Sequence, residues 1–212
     1  DEYSNVYPGY KNKFTTITNG NDPDDFLSIK PNKIVEDKSL ILTGKFILYT
    51  PELVSGLFEA LKEINQLKFI YVGSEHREII ELAIKHEVED RVVSIAYQRY
   101  SESLDLISGA DYAMTTTGLV YGMGTKIFDY LALGKPTICF VPKGSIIKLE
   151  FDDIEQVVIQ ESPYSQASIL QGLEKLLSIR SIPSSNRIEA YSRVNASQSL
   201  AIILNEVASE KS

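Results

Sequence analysis

Residues 115–136 read TTTGLVYGMGTKIFDYLALGKP and gather the residue types that phosphate recognition needs. Gly122 and Gly124 free the backbone, Thr125 brings a hydroxyl, and Lys126 brings a positive charge where a helical pattern begins. Main-chain amides at a helix start, cleared of side chains by glycine, attract phosphate. Asp129 lies on the same helical stripe as Lys126. A carboxylate there accepts hydrogen bonds from ribose hydroxyls, or it forms an i,i+3 ion pair with Lys126. Charge pattern alone favours the ion pair. A second cation, Lys45, follows Gly44 at the end of an apolar run, where it faces a diphosphate or lies on a sheet rim.

Other patterns fail on inspection. Gly122-Met123-Gly124 lacks the third glycine of a dinucleotide fingerprint, and Pro142-Lys143 stands where an acid should end the next strand. Asp22-Pro23-Asp24-Asp25 contains an Asp-x-Asp, but in turn chemistry that reads as a turn or helix cap, so no metal is assigned. His76 and His86 have no third ligand nearby, which argues against a histidine metal centre or a Ser-His-Asp hydrolase. Cys139 is the sole cysteine; it excludes an intramolecular disulfide and reads as a buried thiol in the run Thr137–Val141.

The elements that must position these residues alternate along 212 residues, enough for one domain with a full core. Strand-like runs at Phe14–Thr18, Ser39–Phe46, Lys68–Val72, Arg91–Ala96, Asp111–Thr115, Pro136–Val141 and Gln156–Ile159 are predicted. Between them, helices are predicted over Glu52–Ile64, Glu75–His86, Ser101–Ser108, Thr125–Leu133, Ser165–Leu177 and Arg187–Val207, with Pro142–Asp153 left as a polar excursion. Pro51 suits the first position of a helix, and Gly134 a left-handed helix stop. The alternation predicts an α/β fold: a single Rossmann-like, doubly wound domain with a mainly parallel sheet flanked by helices. In such a sheet the ligand lies outside the carboxyl ends of the strands.

Composition narrows the partners. A net charge of −8 and a pI near 4.9 argue against duplex nucleic acid or an anionic membrane surface, though not against a locally positive nucleotide pocket. No apolar stretch is long enough to span a bilayer and no signal peptide is evident, so a cytoplasmic location is expected.

Taken together, Thr15–Phe26 (TTITNGNDPDDF), Phe69–Gly73 (FIYVG), Arg91–Tyr97 (RVVSIAY) and above all Gly124–Thr137 (GTKIFDYLALGKPT) resemble the C-terminal, nucleotide-sugar-binding domain of retaining GT-B glycosyltransferases, group 1 (family 4). The resemblance runs over nearly the whole chain, so residues 1–212 are expected to be the donor-binding domain, completed by an N-terminal acceptor domain this chain does not supply. It implies a nucleoside diphosphate sugar as donor, no required metal or cofactor, retention of anomeric configuration, and work on polysaccharide or glycoconjugate precursors, possible at the inner face of a membrane through the other domain. By position, Asp129 takes the place of a ribose-binding glutamate, Gly122 to Thr125 lie along the diphosphate and sugar, and Lys45 takes the place of a basic residue after Gly44. Tyr97 and Gln98 then flank the base. Two departures favour an alternative, a non-catalytic scaffold with a decayed site: Tyr121 stands where the family's first signature acid belongs, and Tyr49–Thr50 supplies no second cation.

Overall fold

Six apolar runs become strands in the computed structural model, which describes residues 2–179, 188 and 190–209. They are β1 Lys38–Thr43, β2 Leu67–Val72, β3 Val92–Ile95, β4 Tyr112–Thr116, β5 Thr137–Val141 and β6 Val157–Glu161. All pair in parallel, in the order β3-β2-β1-β4-β5-β6. Parallel neighbours cannot be joined by a hairpin. The chain therefore returns through α2 Pro51–Glu63, α3 His76–Lys85, α4 Tyr100–Gly109, α5 Lys126–Ala132 and α6 Ile146–Phe151. A short α1 Glu2–Val6 precedes the sheet, and α7 Gln166–Ser178 and α8 Arg193–Ser209 follow it.

Successive residues of a strand face opposite sides of the sheet, and here both sides are covered. Leu40 and Leu42 of β1 share a buried cluster with Leu53, Leu57 and Leu61 of α2 and Leu173 of α7. Ile41 points the other way, into a cluster with Leu104 and Ile107 of α4 and Tyr130 of α5. Coverage on both faces is why these strands read as unbroken apolar runs. A third cluster joins α5 to α6, with the Phe128 and Phe151 rings 5.8 Å apart and edge-on.

The ends of α5 are fixed differently. Past its C-terminus Gly134 is left-handed at φ 66°, the expected stop. Lys135, half-buried beyond it, donates to the carbonyls of Ser108 at 2.7 Å and Ala110 at 2.6 Å. It thus closes the end of α4 and ties it to α5.

Several boundaries differ from the sequence reading. β1 ends at Thr43 and not at Phe46, because Gly44 turns left-handed at φ 94°. The loop after it is gathered by one carboxylate: Glu75 accepts the N–H groups of Phe46 (2.6 Å), Ile47 (3.0 Å) and Leu48 (3.0 Å). Phe14–Thr18 is not a strand. Its β-branched residues favour extension, but among the described residues no strand pairs with it, and Phe14 to Thr16 are exposed. The polar excursion holds α6, whose cap Ser145 accepts the Ile147 N–H at 3.2 Å and which buries Ile147 and Phe151. Arg187, where the last helix was placed, lies outside the described residues; α8 starts at Arg193, after a bridge between Asn21 and Ser192. No side chain of α8 is buried, and Leu200, Ile202 and Leu204 are exposed. Among the described residues no helix is long and apolar enough to cross a membrane.

Candidate functional site

From β1 the chain winds outward to β2 and β3, and then crosses back to β4 on the other side. That reversal leaves a crevice above the strand ends. A cleft of about 400 Å³ lies there, within the range of small-molecule sites. The end of β1 and the turn after it contribute Thr43, Gly44 and Lys45 to its wall, and the turn after β3 contributes Tyr97 and Gln98. Tyr100 opens α4 on one side, and Thr125, Lys126 and Asp129 line the other.

Helix α5 is located by a hydrogen bond at the strand end. Tyr130 is fully buried, and its hydroxyl lies 3.0 Å from Thr43 Oγ1 while accepting the Thr43 N–H at 3.2 Å. Lys126 precedes Tyr130 by four residues and so shares its face. With Tyr130 seated on Thr43, Lys126 falls over the next residue, Gly44, and a side chain at position 44 would run into its ammonium. Glycine is needed there twice over, for its φ and for this approach.

Lys126 and Asp129 do not form the ion pair that the charge pattern favoured: Asp129 turns to the Tyr100 hydroxyl instead, and Lys126 meets no described carboxylate within 4.0 Å. Nor does its ammonium have a hydrogen-bond acceptor among the described residues. Burial holds its pKa below the ordinary lysine value, while the fields of Asp129 and Glu75 act in the opposite direction. Asp129 is buried and accepts one hydrogen bond, from the Tyr100 hydroxyl at 3.0 Å. Burial pushes its carboxyl up to about 6; the Tyr100 bond and the charges of Arg193 and Lys126 oppose this, and Asp25 adds to it. Burial likewise raises the Tyr100 phenol. The cleft thus contains an unpaired cation and a carboxylate with a single donor, joined to the exposed Lys45 at its mouth.

Seven of the nine residues singled out in the sequence come together in the cleft. Gly122 and Gly124 do not: they lie on the loop ahead of α5, with Gly124 exposed and nothing within 4 Å of where its side chain would be. Thr125 makes no side-chain cap, and α5 is only seven residues long. The charge complement therefore rests on side chains more than on a helix start. Tyr121 is 73% exposed and not among the cleft residues. Thr50, where a second cation was missing, is buried and bonded to Thr116 at 2.7 Å between the two hydroxyls. Tyr100 acquires its place through Asp129, twenty-nine residues on, a contact no local pattern announces.

Two other arrangements were tested against their chemistry. Asp22 caps the short turn Pro23–Phe26 by accepting the Asp24 N–H at 3.1 Å, the turn role expected of it. Among the described residues no group of three His, Cys, Asp or Glu is placed to hold a metal ion. On the outer face, Ser55 Oγ lies 3.1 Å from His86 Nε2, and His86 Nδ1 lies 2.9 Å from Glu59. This has the order of a hydrolytic triad, but Ser55 sits inside α2, where main-chain N–H groups are used by the helix and none is left to form an oxyanion hole.

Comparison with known proteins follows the same geometry. The family profile described as "Glycosyl transferases group 1" matches residues 26–194. No curated protein matches in sequence. Among solved structures, WaaG, a glycosyltransferase involved in lipopolysaccharide biosynthesis, is 20% identical with a TM-score of 0.66 over 90% of this chain and 55% of its own. Sucrose-phosphate synthase from Thermosynechococcus elongatus is 14% identical, with a TM-score of 0.71 over 96% of this chain and 56% of its own. HepE of Anabaena, solved with UDP-glucose, is 15% identical, with a TM-score of 0.71 over 92% and 58%. The chain therefore spans little more than half the length of these structures.

Proposed function

The chain belongs to the group 1 glycosyl transferases, and from that premise we propose that it is the donor-binding half of such an enzyme. Its six-stranded parallel sheet is the Rossmann-like half of a GT-B fold. The donor is a nucleoside diphosphate sugar, held in the cleft between the end of β1 and α5. The observation that carries this reading is the cleft itself: it opens at the switch in strand order and is lined by Lys45, Lys126 and Asp129, none of them paired with another.

In this reading Tyr97 and Gln98 flank the base, Asp129 accepts a ribose hydroxyl, and the lysines face the diphosphate. As the glycosidic bond breaks, negative charge grows on the leaving diphosphate. Fixed cations near it stabilise the transition state more than the ground state. The reaction retains the anomeric configuration, needs no metal, and adds a hexosyl-type sugar to a polysaccharide or glycoconjugate precursor held by a second, N-terminal domain. The exposed Leu200, Leu204 and Val207 of α8, spaced i, i+4 and i+7 on one stripe, support such a companion domain, since apolar side chains gathered on a surface favour a partner. The half described here binds donor and transfers nothing alone, and it works in the cytoplasm.

Calorimetric titration with uridine and guanosine diphosphates tests the reading. Saturable binding of at least one is expected; no saturation with any nucleoside diphosphate at millimolar concentration sinks it. A second reading, a scaffold with a decayed site, has Tyr121 in its favour, a phenol in place of an acid and outside the cleft. Binding without donor hydrolysis or transfer in the full-length protein would favour it.

A further inference from the structure

The donor-binding reading leaves open which group carries the diphosphate. The sequence pointed to Lys45, directly after the glycine that ends β1. The structure puts Lys45 on the exposed mouth of the cleft, where water and salt screen its charge. It puts Lys126 deeper, half-buried over the bare backbone of Gly44. Three features of Lys126 belong together. Its position is fixed by the Tyr130–Thr43 bond one helical turn away. Its landing place is kept clear by a glycine. Its ammonium is left without an acceptor or a counter-charge among the described residues.

A half-buried cation without partners costs stability, so a fold that keeps one has left a place for an anion. The loop after β1 has few amides to offer that anion, because Glu75 already takes the N–H groups of Phe46, Ile47 and Leu48, and those of Gly44, Tyr49 and Thr50 go to main-chain carbonyls. The position where a second cation was missed, Thr50, is buried and bonded to Thr116. We propose that Lys126, reaching from α5 across Gly44, is the principal binding group for the donor's diphosphate, with Lys45 as an outer, weaker contributor. This rests on the donor-binding reading and deepens it.

The test compares Lys126→Met, Lys126→Arg and Lys45→Met with the parent protein, using UDP and uridine as probes. A charge-assisted hydrogen bond in a partly buried site is lost with a penalty of about tenfold or more in affinity. Lys126→Met is expected to weaken UDP by about tenfold or more and uridine by less than about twofold, Lys126→Arg to keep most of the UDP affinity, and Lys45→Met to lose less than Lys126→Met. A measurement on the unmutated protein removes any dependence on how the variants fold. Because burial lowers the Lys126 pKa and a phosphate raises it again, proton uptake on UDP binding should grow as the buffer is made more alkaline, and Lys126→Met should abolish that rise. Asp129 and Glu75 are the charged groups that act on Lys126 in the free protein, and both favour its protonated form.

Equal loss of UDP and uridine in Lys126→Met would assign it a structural role and overturn the proposal. So would UDP binding within about threefold of the parent, or a larger loss in Lys45→Met. If the parent protein binds no nucleoside diphosphate, the donor-binding reading falls and this inference with it. If the parent binds and the lysine ranking reverses, only the inference falls.

Discussion

Two lysines flank α5, and the fold treats them in opposite ways. Lys126 at the start and Lys135 past the end are both held below the ordinary lysine pKa by burial. Lys135 is met by two carbonyls at the end of α4. Lys126 is met by nothing among the described residues, over a glycine that keeps its surroundings open. Burying a charge is costly unless it is paired or hydrogen-bonded. One lysine has been paired inside the fold and does structural work. The other keeps its hydrogen-bonding capacity unspent, as the proposed role in binding requires. A partial burial that looks alike on the two side chains thus separates into architecture and binding only when acceptors are counted.

The comparison breaks or sharpens at Lys135 first. Lys135→Met leaves the Ser108 and Ala110 carbonyls without their donor, a loss of about 1–3 kcal/mol, or roughly 3–10 °C in Tm for a chain of this size. UDP affinity at a temperature where the variant is folded should stay within about twofold of the parent. Thermal unfolding followed by circular dichroism, with calorimetry on the folded sample, checks both halves. If Lys135→Met loses binding while Lys126→Met loses stability, the division between the two lysines is wrong.

Asp129→Asn should produce a smaller but telling effect, because it separates binding from stability within one residue. Asp129 has a folded pKa of about 6, above the ordinary 3.8, so the native state binds more protons than the unfolded state between those values. Stability from this group therefore rises as pH falls from about 6 towards 4, and at pH 7.5 the buried charge is a cost. Asn removes that cost and should raise Tm at pH 7.5 while weakening nucleotide binding by about tenfold. In the parent, binding of UDP-glucose, whose diester phosphates do not titrate in this range, should fade as pH drops through about 6; in Asp129→Asn it should be flat across that window. A pH series of titrations distinguishes the two.

Tyr100→Phe follows, with a loss of roughly 0.5–1.5 kcal/mol, the worth of one hydrogen bond. Without the phenol the Asp129 carboxyl loses the bond that holds its pKa down. The midpoint of the pH dependence should move upward relative to the parent. A downward shift, or none, would deny Tyr100 its hold on the carboxylate. Smallest of all is Ser55→Ala on the outer face: nucleotide affinity should not change and stability should move by no more than about 0.5 kcal/mol.

The sheet was readable because each strand is covered on both sides and so appears as an apolar run, and the helices because their stripes recur at the helical period. The two errors of element share a physical cause. Phe14–Thr18 has strand-forming residues but, among the described residues, no strand to pair with. Ile146–Phe151 is a single short helix whose Lys148, Leu149 and Glu150 hide a two-residue apolar contact made by Ile147 and Phe151. Local composition reports neither the presence nor the absence of a tertiary partner. The cleft shows the same division. Gly44, Lys126 and Asp129 could be singled out because they fall in motifs at strand and helix ends. That Lys126 lies over Gly44, that Tyr100 holds Asp129, and that Glu75 gathers the β1 loop are contacts between residues 82, 29 and 27–29 positions apart. Spacing along the chain carries no trace of them.

The grip of Glu75 on three consecutive amides has an evolutionary side. Where main chain recognises a ligand, the ligand can be exchanged only by rebuilding the turn. Here those donors are committed internally, and recognition passes to the tips of a few side chains. Each tip can be altered by one codon without disturbing the scaffold. Under the proposed function, a site built in this way can change its preference for one activated sugar over another while its architecture stays still.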